Sequence, residues 1–316
     1  MLFAAALPAA AQLSAAGKPV RIGILSITDN ERNGEFEAFR LTLRKLGYIE
    51  GNNIILDWRF ARGDYAGMPK LAAELVSIPV DIIVTAGSEG AARAAVAATK
   101  TIPIVMATSS DPVAAGLVQS LARPGGNITG FTLVPSGINA KRLDLLRLAL
   151  PDISAVAVLL NPANPSSEAR WRETVEAAKA LGLAATQIAA ANVDALRALR
   201  PDSFHRTTPV VVLSDGMFAD HRRDIVTLLI AARVPTVYPQ REYVTMGGLI
   251  AYGPNVPDNF RRTAEYVDRI LKGATPADLP VQEPVRFDFV VNLRAARLLG
   301  INLSRSFVGS ADEVID

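Results

Sequence analysis

From Val20 onward, short β-rich apolar runs alternate with longer stretches of helical periodicity, separated by Gly, Pro, Asn and Asp. The runs at 20–27 (VRIGILSI), 81–86 (DIIVTA) and 103–107 (PIVMA) are almost continuously apolar, as in parallel strands covered on both faces. A further strand is predicted at 53–60, and helices near 34–46, 67–78 and 88–98. Strand–helix–strand order at this spacing argues βαβ units and an open α/β sheet. After Asn127 the cycle is expected to restart. Strands are predicted at 127–134, 155–161, 183–188, 209–214 and 234–239, with helices near 138–149, 166–181, 192–200 and 218–232 between them. The turn residues Arg123-Pro124-Gly125-Gly126 mark the expected boundary between two α/β modules. Strands at 247–255 and 285–292 and helices near 257–272 and 293–299 follow. This tail is short for a third domain, so it is expected to cross back and complete both modules.

The predicted fold class is α/β, with two doubly wound parallel-sheet lobes joined by hinge crossovers. The first lobe is expected to hold 18–129 plus about 254–282, and the second 130–253 plus about 283–316. Hinges are expected near 130–132, 253–255 and Pro284.

Length and composition narrow the function. The 316 residues suit two domains at a prior of about 150 residues each. With 33 basic and 31 acidic residues, the formal charge is +2, which offers no electrostatic footprint for nucleic acid. There is no cysteine, which excludes disulfide frameworks, thiolate metal sites and cysteine nucleophiles. Two histidines, His205 and His221, leave little for a catalytic relay, and no cofactor or metal is expected. Residues 1–17 read as a signal-peptide remnant: 2–16 are small and apolar, Ala9-Ala10-Ala11 fits a small-x-small cleavage site, and no Lys or Arg precedes Lys18. Export of a soluble product to a periplasm is the expectation.

In open α/β sheets, ligands collect beyond the carboxyl ends of strands, where helix N-termini direct exposed N–H groups. The loops at those positions carry Ser26 and Thr28, then Gly87 and Ser88, then Ser109, Ser110 and Asp111. The second module offers Asn161 and Asn164, then Asp215 and Phe218, then Tyr238, and Tyr252 further on. These loops are hydroxylic and amide-rich with few formal charges, which suits hydrogen bonding to a small polar ligand. Gly87-Ser88 is the candidate for a ligand carboxylate, since glycine permits close backbone approach and the hydroxyl adds a donor. Asp111 and Asp215 are candidate partners of an ammonium group. Phe218, Tyr238 and Tyr252 are candidates for an apolar wall, with core packing as the alternative. Ser88, Asp111, Ser166 and Asp215 also stand where helix N-caps belong. No G-x-G-x-x-G follows the first strand, and no P-loop or G-x-S-x-G elbow occurs.

The same loops carry a family resemblance. DPVAAGLVQSLARPGGNITG (111–130), LLNPANPSS (159–167), GGLIAYGPN (247–255) and YVDRILKGATPADLPVQEP (266–284) are similar to ABC-transporter substrate-binding proteins of the tryptophan/tyrosine-binding type. The resemblance spans 21–316 and implies a type I periplasmic-binding fold, a non-enzymatic monomeric receptor, and a small ligand, an amino acid and often an aromatic one. It further implies delivery to an ABC permease with its ATPase. Carried over by loop, Ser26, Ser88 and Ser110 come from the first lobe and Asn161, Asp215 and Tyr238 from the second. The loop after the third strand, GSEGA, departs from the more usual small hydroxyl followed by Pro or Ala. Its Glu89 repels a ligand carboxylate unless it points outward. The competing classes are a two-lobed α/β enzyme using Asp111, Asp215 or Glu242 as base, and the ligand-sensing partner of a signalling receptor.

Overall fold

The computed structural model describes residues 18–29, 33–108 and 111–316; the expected leader, Ser109 and Ser110 lie outside the described residues. The chain divides into two units. The first holds the described residues up to Thr108, then Pro112–Leu133 and Val256–Glu283; the second holds Asp111, Val134–Asn255 and Pro284–Asp316.

In the first unit, β1 (Val20–Ser26), β2 (Ile54–Phe60), β3 (Ile82–Ala86), β4 (Ile104–Thr108) and β5 (Ile128–Thr132) form one parallel sheet in the order β2-β1-β3-β4-β5. The nearly continuous apolar runs are its inner strands: β3 is buried throughout and β1 at all but one position. Edge strand β2 is buried only at alternate positions of its first half. Three helices follow the strands: α1 (Gly34–Lys45), α2 (Met68–Val76) and α3 (Glu89–Ala98). Parallel register sets Ser26 level with Ala86 and Ala86 level with Ala107, so the loops leaving β1, β3 and β4 emerge at one end of this sheet.

The expected restart after Asn127 is corrected. Strand β5 pairs with β4 from Ile104↔Ile128 to Thr108↔Thr132, so it closes the first sheet instead of opening the second. Turn chemistry marks a change of chain direction but says nothing about which sheet receives the next strand. The chain returns to this unit later. Phe260 in the helix Val256–Leu271 meets Phe36 edge-on at 5.3 Å, and Tyr48 donates to Asp268 at 3.0 Å.

The second unit has seven strands: β6 (Ala155–Leu160), β7 (Ala184–Ala189), β8 (Val210–Val212), β9 (Thr236–Tyr238), β10 (Ile250–Pro254), β11 (Phe287–Asn292) and β12 (Glu313–Ile315). Their order is β12-β11-β10-β9-β8-β6-β7, parallel except between β10 and β11. Helices α4 (Ile138–Ala149), α5 (Ser167–Ala180), α6 (Val193–Ala198), α7 (Gly216–Asp220), α8 (Arg222–Ala232) and α9 (Arg241–Thr245) precede the return helix α10 (Val256–Leu271), and α11 (Leu293–Leu299) and α12 (Arg305–Gly309) complete the chain. Strand β6 shows why the sheet needs two coats. Val156, Val158 and Leu160 point into one core with Leu143 and Leu146, whereas Ala157 and Leu159 point into another with Met217, Phe218 and Ile225. The single helix expected at 218–232 is two, α7 and α8, separated by His221. No helix among the described residues is long and apolar enough to cross a membrane.

Candidate functional site

In the first unit, the loop after β1 folds on its own hydroxyls. Ser26 Oγ and Thr28 Oγ1 lie 2.8 Å apart, the Thr28 N–H donates to Ser26 Oγ at 3.2 Å, and both side chains are buried. After β3 the chain reverses at Gly87, whose φ of +75° belongs to the left-handed region. A Cβ there would stand 3.0 Å from Ile27 Cγ2, so glycine suits both the dihedral and the packing of this turn. Ser88 caps α3: its Oγ accepts from the Ala91 N–H at 3.2 Å, as its position predicts. Glu89 does not point outward. Its side chain is buried in the first turn of α3 and pairs with Arg93 one turn on, where the helix dipole and the guanidinium both stabilise the carboxylate. Asp111, which groups with the second unit, is exposed, and the residues after it form turns, so the helix N-cap expected there is not found.

In the second unit, three predicted residues form one connected set. Asn164 Nδ2 donates to Asp215 Oδ2 at 2.8 Å, and Asn161 Nδ2 reaches Asp215 Oδ1 at 3.4 Å. Oδ1 also accepts from the Phe218 N–H at 3.2 Å, which makes Asp215 the N-cap of α7. The amide oxygens face their own loop: Asn161 Oδ1 accepts from the Ala163 N–H, and Asn164 Oδ1 from the N–H and hydroxyl of Ser166. Ser166 therefore stands before α5 without capping it through its side chain. The Asn-Pro-Ala-Asn-Pro-Ser turn is templated by side chains whose remaining donors converge on one carboxylate. Asp215 is an organiser of two loops before it is anything else.

The aromatic candidates divide. Phe218 and Tyr238 are 0% and 1% exposed and belong to one core, with Tyr238 stacked on Tyr243 at a centroid distance of 5.0 Å. Both rings pack inside this core, and Tyr238 also lines a pocket with Leu229, Thr236 and Gly248. Tyr252 is only partly buried and stacks on Phe287 at 5.8 Å.

Sequence reasoning passed over two buried cations. Arg142 is wholly buried on α4, and Arg170 on α5 is nearly so, its Nη1 donating to the Ser214 carbonyl at 2.6 Å. A signal existed, because Arg142 occupies the apolar stripe of Ile138, Leu145, Leu146 and Ala149. Burial, and then the neighbouring charge of Arg170, draw the Arg142 pKa down to about 9. Burial pushes Tyr238 and Tyr243 in the opposite sense, well above the usual tyrosine range. Tyr48 is raised as well, by burial and by Asp268. No cluster of metal-ligating side chains occurs among the described residues.

These shifts predict an alkaline weakness. The tyrosines keep their protons in the folded state after the unfolded chain starts to lose them near pH 10, so their contribution is complete below that pH and is lost above it. Arg142 acts oppositely, since raising the pH from about 9 towards the usual arginine range relieves its buried charge, but it is one group against three. The urea midpoint should therefore fall steadily above pH 10, in step with tyrosinate absorbance. A flat midpoint there would refute the assignment.

Two α/β units with parallel-dominated sheets, exchanging chain segments and presenting polar loops at strand ends, define the type I periplasmic-binding fold. The chain belongs to the ABC transporter substrate binding protein family, whose model matches residues 21–315. A relative in Clostridioides difficile (strain R20291), named tyrosine-binding protein, is 25% identical over 276 residues, covering 87% of this chain and 79% of its own. A conserved domain protein from Vibrio cholerae O1 biovar El Tor superposes with a TM-score of 0.87 at 26% identity, covering 94% of this chain and 100% of its own. A Streptococcus pneumoniae ABC domain solved in complex with L-Trp has the same fold, with a TM-score of 0.85 at 24% identity and the same coverage.

Proposed function

We propose that this protein is the solute receptor of an ABC importer, exported to the periplasm, and that it binds an amino acid, aromatic by preference, in the cleft between its lobes. Family membership across 21–315 carries this reading. The tyrosine-binding relative supports the ligand class, and the L-Trp complex shows that a chain of this fold accommodates an indole. The loops at the strand ends suit such a ligand, because Ser26, Thr28, Gly87 and Ser88 in one unit and Asn161 and Asn164 in the other offer hydroxyl, amide and backbone groups. Release to a permease and its ATPase follows from the family, with closure as a hinge motion selected by the ligand. Asp215 suits an enzyme's base poorly, since its carboxylate already accepts from two amides and a helix N–H.

The test is a thermal-shift screen of refolded, dialysed protein against L-tyrosine, L-tryptophan, other L-amino acids, purines and sugars. A ligand at about 1,000 times its Kd adds roughly 4 kcal/mol to the folded state, a readily measured rise in midpoint. The expected result is a rise confined to amino acids and largest for the aromatic ones. A rise confined to sugars or purines would overturn the ligand class.

A further inference from the structure

Arg142 donates in several directions, and its acceptors lie far apart in sequence. Its Nε donates to the Tyr252 carbonyl at 2.8 Å and its Nη1 to Asn139 Oδ1 at 2.9 Å. Its Nη2 lies 3.5 Å from both the Pro239 carbonyl and the Ser214 hydroxyl. Ser214 follows β8, Pro239 follows β9, and Tyr252 is the central residue of β10, which the pairing of Ala251 with Tyr238 sets beside the end of β9. These strands are consecutive in the sheet, so one guanidinium ties the loops after β8 and β9 to the middle of β10.

Its hydrogen-bond acceptors are all uncharged. Glu173 favours the charged form from nearby, but burial and the neighbouring charge of Arg170 both outweigh it. A desolvated charge whose hydrogen bonds all go to neutral acceptors is a poor device for stability, and an apolar side chain of similar volume serves packing as well or better. Its planar fork, however, fixes several acceptors in one plane as no apolar group can. Gly253 completes the arrangement: a Cβ there would stand 1.8 Å from the Pro239 carbonyl oxygen and 3.3 Å from Arg142 Nη2. The ends of β9 and β10 are thus drawn together at a position only glycine fits. Two residues on, at Asn255, the chain leaves this unit.

We infer that Arg142 is a positioning residue for ligand recognition: it sets the placement of the loops after β8 and β9 relative to β10 without touching the ligand itself. The inference rests on the proposal that these loops take an amino acid. It goes beyond that proposal in naming a buried residue that sets their geometry.

The experiment compares Arg142→Met, which keeps volume without the fork, Arg142→Lys, which keeps charge without it, and Leu146→Ala, a core variant of the same helix matched for lost stability. Each is titrated calorimetrically with L-tyrosine and L-tryptophan, and amide hydrogen exchange is followed across the chain. Both Arg142 variants should lose at least about tenfold in affinity and exchange faster at 214–216, 239–241 and 252–255. Leu146→Ala should bind like wild type once folded. Unchanged exchange at those segments in Arg142→Lys, or affinity within twofold of Leu146→Ala, would overturn the inference. If Arg142→Met does not fold, Arg142→Lys and Asn139→Ala carry the comparison. If the wild type binds neither amino acid, the ligand proposal falls, while the exchange result still decides whether Arg142 holds these loops to β10.

Discussion

Asp215→Ala is expected to destabilise the folded chain by about 3 kcal/mol and to disorder the loops after β6 and β8 together. The carboxylate accepts from Asn161 Nδ2, Asn164 Nδ2 and the Phe218 N–H, and it is 8% exposed. Deleting it removes the N-cap of α7, which costs about 1 kcal/mol on its own. It also leaves two buried amides without their acceptor, at about 1–3 kcal/mol each before water enters to replace it. Asp215→Asn should recover part of the loss, since Oδ1 still caps the helix while the new amide faces that of Asn164 donor to donor. Chemical denaturation followed by circular dichroism measures the effect. A loss below about 1 kcal/mol in Asp215→Ala would mean that the two asparagines are held by something else. Ligand affinity should fall as well. That fall alone cannot assign an ammonium contact to Asp215, because the loops it organises move with it.

Gly130→Ala should be more damaging still, costing at least about 3 kcal/mol and leaving little folded protein. Gly130 sits in β5 at φ +133°, a region L-residues rarely adopt. A Cβ there would lie 2.1 Å from the Met106 carbonyl oxygen and 2.6 Å from its nitrogen. Both are backbone atoms of the neighbouring strand, so no rotamer relieves the clash. Nor is β5 free to withdraw. The Gly130 carbonyl accepts from the Gln282 N–H at 3.0 Å, and Thr129 Oγ1 donates to the Leu279 carbonyl at 2.5 Å. The control is Gly126→Ala, where the added Cβ meets nothing within 4 Å and stability should stay within about 0.5 kcal/mol. Comparable soluble yield and midpoint for the two variants would refute the argument.

How much of this was legible beforehand depended on the range of the interaction involved. Ser88 and Asp215 were readable as helix caps because a cap joins residues three apart, and that spacing is written in the chain. The strands β1, β3 and β4 were readable because burial on both faces demands unbroken apolar runs. Strand β12 was not: Glu313–Ile315 has three residues in a polar surround and exists because β11 offers an edge, with Asp312 accepting from the Phe289 N–H at 2.8 Å. The aromatic candidates show the same limit. Nothing local distinguishes Phe218 and Tyr238, closed inside a core, from Tyr252, left partly open.

The sequence by itself determined the α/β class, the βαβ periodicity, the family and the loops worth searching, because hydrophobic patterning, capping and turn chemistry act over a few residues. Only the tertiary structure decided that β5 belongs to the first sheet, that Asp215 serves two asparagines, and that Arg142 holds Ser214, Pro239 and Tyr252 at once. Those contacts join residues 51 to 110 positions apart in the cases of Asn164–Asp215 and Arg142–Tyr252. Sheet order and helix placement create such contacts, and a polar side chain carries no mark of which distant partner the fold will bring to it.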